Sequence, residues 1–89
     1  MFENIGVETP RKFEEAAIRA ALEELDDSHK YGAILRAKGI LPLNDGKWLH
    51  FDYVPGECEL RYGSADYTGR LCVIGTGIHQ EALKALFGL

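Results

Sequence analysis

The stretch Tyr31-Gly-Ala-Ile-Leu-Arg-Ala-Lys-Gly-Ile-Leu-Pro-Leu43 limits the fold more than any other part of the chain. It is mostly apolar, and two cations stand two positions apart within it. Read as a strand over Ala33 to Leu41, its side chains alternate between the two faces of a sheet. Leu35, Ala37, Gly39 and Leu41 then share one face, small or apolar and suited to lie under helices. Ile34, Arg36, Lys38 and Ile40 share the other. The rise of a strand puts Arg36 and Lys38 about 7 Å apart. Neighbouring cations repel unless something anionic lies near them. Their face is therefore either a solvated sheet surface or one that meets carboxylates, another domain or a phosphate.

The flanking sequence supplies partners for this strand. Before it, Ile5 and Val7 suit the inward side of a short strand. Thr9-Pro10 reads as a helix start, with Thr9 as cap and proline at the first helical position. The pattern over Pro10 to Asp26 is amphipathic, with Phe13, Ala17, Ile18, Ala21, Leu22 and Leu25 on one side. Glu15, Arg19, Glu23 and Glu24 occupy the wet side, and residues 26–30 form a loop. After the central strand, Asn44-Asp45-Gly46 is a hairpin signal. The returning strand, Lys47 to Val54, sets Trp48, His50 and Asp52 on one face and Leu49, Phe51 and Tyr53 on the other. A turn at Pro55-Gly56 leads to a half-exposed strand in which Cys58, Leu60 and Tyr62 alternate with Glu57, Glu59 and Arg61. A polar loop over Gly63 to Gly69 precedes a buried strand from Arg70 to Gly75, and a last helix runs from about His79 to Phe87. Hairpin-linked strands are antiparallel, and two amphipathic helices need one shared surface. The expected fold class is α+β: a single domain over residues 1–89, a two-layer sandwich with a four- or five-stranded, mostly antiparallel sheet and two helices on one face.

Charge and composition narrow the function. The 89 residues carry 10 Lys plus Arg against 14 Asp plus Glu, a net charge of −4. That balance argues against nucleic acid and against an anionic membrane surface as partners. No apolar run approaches the roughly 20 residues of a membrane span. The N-terminal residues lack a basic region followed by an apolar core, so the expected location is cytoplasmic. Cys58 and Cys72 then read as reduced thiols in or near a core rather than a disulfide.

The motifs are weak individually. Gly75-Thr-Gly77 follows a strand and opens a helix, but Gln80 stands where a dinucleotide fingerprint needs its third glycine, and no strand follows. It reads as a tight strand-to-helix turn, with no nucleotide site. A phosphate-binding loop ending in Gly-Lys-Ser/Thr is absent from the sequence. No candidate ligand stands at ligand spacing, so a metal site needs folding to assemble it across strands, for example His50 with Asp52 and a cysteine, Cys58 or Cys72. No nucleophile has a base placed beside it by spacing, so no catalytic residue is expected. What remains is the sheet face away from the helices. If Arg36 and Lys38 pair across the hairpin with Trp48, His50 and Asp52, that face has the makeup of a docking surface.

The segment Ile34-Leu-Arg-Ala-Lys-Gly-Ile-Leu41, followed by a hairpin and Trp48, resembles the Ile-Leu-Arg-Ala-Lys-Gly segment of the C-terminal domain of CobW-type proteins. Arg70-Leu-Cys-Val-Ile-Gly-Thr-Gly77 and Glu81-Ala-Leu83 resemble that domain's closing strand and helix. His79 departs from the family, which usually has a helix-capping aspartate there, and the His-rich tract of some relatives is missing. The resemblance implies an accessory role. Such proteins are P-loop GTPases proposed to act as metallochaperones in cobalamin (cobalt) and zinc handling. Their GTPase motifs and Cys-x-Cys-Cys metal motif lie in an N-terminal domain, so GTP with magnesium, and zinc or cobalt, are implied for the whole family and not for this chain. The implied partners are a P-loop GTPase domain, in cis or in trans, and a protein that receives the metal, with self-association left open.

Overall fold

The computed structural model describes residues 1–89. The elements in chain order are β1 (Glu3–Thr9), α1 (Glu15–Glu24), α2 (Ser28–Tyr31), β2 (Ala33–Pro42), β3 (Trp48–Val54), β4 (Glu57–Gly63), β5 (Gly69–Thr76) and α3 (Gln80–Leu86). The strands form one antiparallel sheet in the order β1-β5-β2-β3-β4. The helices cover one of its faces, as the two-layer reading requires, and there are three of them.

The central strand is where the alternation placed it, between β5 and β3. Its N-terminal half departs from the simple pattern. Ile34 pairs with Gly75 and Arg36 with Ile74, so Leu35 is an extra residue in a β-bulge. The extra residue shifts the phase by one. Ile34, expected outward, is buried, and Leu35, expected inward, is 41 % exposed. Beyond the bulge the expected phase holds: Ala37, Gly39 and Leu41 face the core.

Helix α1 begins later than Thr9-Pro10 suggested. Thr9 is the last residue of β1, paired with Gly69, and its Oγ1 accepts from the Arg11 amide. Residues 10–12 belong to no helix, and Phe13 forms a parallel bridge with Leu43, its amide donating to the Pro42 carbonyl and its carbonyl accepting from the Asn44 amide. Strand pairing thus competes successfully with the cap signal. The residues expected as a loop after α1 contain α2, whose amides at His29 and Lys30 are capped by the Asp27 carboxylate. Helix α3 starts at His79 without a side-chain cap; the ring bonds instead to the Lys30 carbonyl at 2.8 Å.

One core joins the layers. Ile18, Leu22, Leu25, Leu83 and Phe87 from the helical side meet Leu41, Leu49, Phe51 and Val73 from the sheet. Phe51 stacks on Phe87 with ring centroids 6.5 Å apart. The Phe51 ring also lies against Gly39 across the strand pair, where a Cβ would stand 2.2 Å from it. Burying one such ring stabilises the fold by roughly 1.5–3 kcal/mol.

Candidate functional site on the open sheet face

With the helices on one side, the other face of the sheet is uncovered. Register fixes what stands on it. Lys38 is opposite Asp52, Ile40 opposite His50 and Pro42 opposite Trp48. On the outer sides, Arg70 is opposite Ile40, Cys72 opposite Lys38, and Arg61 opposite His50. Directly opposed residues share a face. Arg36, Lys38, Trp48, His50 and Asp52 therefore all lie on the open face, Trp48 at one end and Arg36 at the other.

The two adjacent cations do not behave alike. Arg36 reaches diagonally to Asp52, with Nη2 3.1 Å from the carboxylate. Lys38, although directly opposite Asp52, takes part in no ion pair. His50 donates from Nε2 to the Ser64 carbonyl at 2.8 Å, since a carbonyl only accepts. That bond holds the start of the 64–68 loop, which carries the chain from the β4 edge to β5. The same loop is tied further along: Asp66 accepts from Arg70 at 2.9 Å, and Tyr67 lies under the Arg70 guanidinium at 4.7 Å. Arg70 also approaches Glu8 on β1 at 3.4 Å.

These residues border a hollow of about 650 Å³ in the open face. Its floor includes Ile40, Cys72 and Gly6, and its charged lining is Lys38, Arg61, Arg70 and Glu8, with His50 beside them. Of the five sequence-predicted face residues it gathers Lys38 and His50. Arg36 and Asp52 line a separate, smaller depression with Glu57 and Glu59. The sequence alone did not point to Arg61, Arg70 or Glu8 as members of this face. The alternation in β4 already turned Arg61 outward, but the place of β5 between β1 and β2 is a long-range fact that no local pattern carries.

The three candidate metal ligands are not brought together. Cys58 is opposite Tyr53, a core-facing residue, so its thiol lies on the helix side near α1. His50 and Cys72 are on the open face. The set splits because Cys58 and His50 point to opposite sides of the sheet, and no three His, Cys, Asp or Glu side chains stand where they could hold one ion. Both cysteines are free thiols, as expected, but both are exposed, which corrects their expected place in or near a core. Desolvation pushes the Cys58 thiol above its ordinary pKa. Cys72 donates to the Asn4 side chain at 3.3 Å. The glycines of Gly75-Thr-Gly77 serve the backbone: a Cβ on Gly75 would stand 2.3 Å from the Ala33 carbonyl oxygen, where β2 and β5 close on each other at the bulge.

The fold and the face together define an open-faced α+β sandwich, a domain that leaves one side of its sheet free. The chain belongs to the family of the cobalamin synthesis protein CobW C-terminal domain, whose model matches residues 2–88. Among solved structures it is similar to the Zn(II)-bound YjiA GTPase from E. coli, with a TM-score of 0.79 at 21 % identity over 97 % of this chain and 28 % of that one. A Zn(II)-bound triple mutant of YjiA gives a TM-score of 0.81, again at 21 % identity, 97 % of this chain and 28 % of that one. The likeness to these structures is one of fold, and the chain spans 28 % of their length. No curated protein sequence matches it. No helix is long and apolar enough to cross a membrane.

Proposed function

We propose that this chain is a non-catalytic accessory and interaction domain of a CobW-like GTPase that handles a metal, cobalt for cobalamin or zinc. Its open sheet face docks on the GTPase domain or on the protein that receives the metal. GTP, magnesium and the transported ion belong to the GTPase domain in this reading, and the setting is cytoplasmic. The observation that carries it is the open face itself: β2 and β3, in the middle of the five-stranded sheet, present Arg36, Lys38, Trp48, His50 and Asp52 on a side the core does not use. The fold does not need these charges either. Arg36 and Asp52 are a surface pair, with side chains 51 % and 27 % exposed, and such pairs contribute about 0–1 kcal/mol. Charged and aromatic side chains kept on a face without a structural task fit recognition.

The reading is tested by mixing the chain with the P-loop domain of a CobW-family GTPase whose own C-terminal domain has been deleted. Complex formation and GTP hydrolysis are measured with the native chain and with the Arg36→Ala, Lys38→Ala double variant. A complex that the double variant weakens supports docking through this face. A complex of unchanged affinity and turnover would remove the face from the function.

A further inference from the structure

The open face is not evenly charged. The chain has a net charge of −4, yet the hollow of about 650 Å³ is lined by Lys38, Arg61, Arg70 and His50 against the single carboxylate of Glu8. Arg70 is neutralised at 2.9 Å by Asp66 and at 3.4 Å by Glu8. Lys38 and Arg61 have no ion pair, and neither lies over an aromatic ring. Register separates them by two strands and one pleat repeat, about 12 Å at the backbone. On β3 between them lie Asp52, already paired with Arg36, and the His50 ring, whose Nε2 is held by Ser64, and Ile40 stands beside Lys38 on β2. At the β1 side the hollow stays open, since a Cβ on Gly6 would meet nothing within 4 Å.

We infer that the hollow seats an extended acidic polypeptide segment, its carboxylates held by Lys38 and Arg61 and its apolar stems lying over Ile40 and Gly6. This names the chemistry of the docking partner and rests on the docking reading above. Carboxylates on alternate residues of an extended chain recur about every 7 Å, within reach of two long cationic side chains whose backbones stand about 12 Å apart. A nucleic acid fits poorly. Two unpaired cations on a chain of net charge −4 neutralise too few phosphates to release the counterions on which such binding depends.

The test is an amide-resolved NMR titration of the full chain with acetylated, amidated hexaglutamate. Saturable shifts centred on Lys38, Ile40 and Arg61 are expected, weakening as salt rises. K38Q with R61Q should raise Kd by about tenfold, as expected when carboxylates lose their cationic partners at a partly desolvated site. K84Q, which removes a cation on α3, should leave Kd unchanged. Both altered side chains are exposed, and an unchanged amide spectrum outside the hollow shows that the variant is folded. Absence of saturable shifts, equal weakening by K84Q, or equally tight binding of inorganic phosphate or hexathymidylate would each overturn the inference. Hexaglutamate binding without a complex with the GTPase domain supports the acidic-segment site and overturns docking on that domain. A complex with the GTPase domain that ignores K38Q and R61Q does the reverse.

Discussion

Gly39 shows how much one missing side chain can specify. It stands on the core face of β2, and the Phe51 ring fills the space its Cβ would occupy. Gly39→Ala is expected to cost about 1–3 kcal/mol, because the ring must leave a packed position against Phe87. Urea unfolding measures this, and adding Phe51→Leu to Gly39→Ala should recover part of the loss; a double variant no better than Gly39→Ala would mean that the ring is not what the methyl meets. A second residue-scale effect is electrostatic. The Tyr62 hydroxyl donates to Glu15 at 2.6 Å, and Arg19 pairs with the same carboxylate at 2.9 Å, which together hold Glu15 below its ordinary pKa of 4.5. A depressed folded-state pKa stabilises the fold above the unfolded value, and that stabilisation is lost as pH falls through the folded one. Tyr62→Phe should therefore move the Glu15 titration upward, and the stability difference between the two proteins should shrink as acid protonates Glu15. Carboxyl NMR and acid unfolding read both; an unmoved Glu15 titration would show that Arg19 alone sets it.

At the scale of elements, the β2 bulge decides most. It turns Leu35 out, keeps Ala37 and Leu41 in, and lets β2 and β5 close where Gly75 faces the Ala33 carbonyl. Gly75→Ala is expected to cost more than Gly39→Ala, since its methyl meets backbone that cannot rotate away. Hydrogen exchange should show the amides of Ala33, Ile34 and Thr76 losing protection first; uniform destabilisation without local opening would place the strain elsewhere. The bulge also marks how far the sequence could be read. Alternation placed Trp48, His50 and Asp52 on one face and Leu49, Phe51 and Tyr53 on the other, because a hairpin with a two-residue period leaves little choice. It could not reveal the bulge, because Ala33-Ile-Leu has no residue that marks an irregular pairing. Nor could it reveal that Thr9 would end a strand rather than cap a helix. That outcome depends on Gly69, far along the chain, and on the bridge from Phe13 to Leu43. The hollow was only half legible for the same reason: Lys38 and His50 come from one hairpin, whereas Arg70 and Glu8 arrive through strands whose neighbours are set by tertiary packing.

The whole molecule carries its own reporters of which face is used. Cys58 lies on the helix side of β4 and Cys72 in the hollow of the open face, and both are free and exposed. A sheet one strand thick separates their directions, so mild oxidation should give no intramolecular disulfide. Alkylation by iodoacetamide, followed by mass spectrometry, should label both in the native chain. Cys58 should label slowly near neutral pH, because its raised pKa leaves little thiolate, and the thiolate is the reacting form. Raising the pH should speed Cys58 as its thiolate population grows. Docking through the open face then makes an asymmetric demand. A bound GTPase domain must shield Cys72 and leave the rate at Cys58 unchanged. Protection of Cys58 alone would place the partner on α1 and the edge of β4, where the cations Arg19 and Lys47 are already engaged by Glu15 and by the Tyr62 ring. The charges favour the first outcome: on the α1 side Arg19 and Lys47 are engaged within the chain, and on the open face Lys38 and Arg61 have no ion pair.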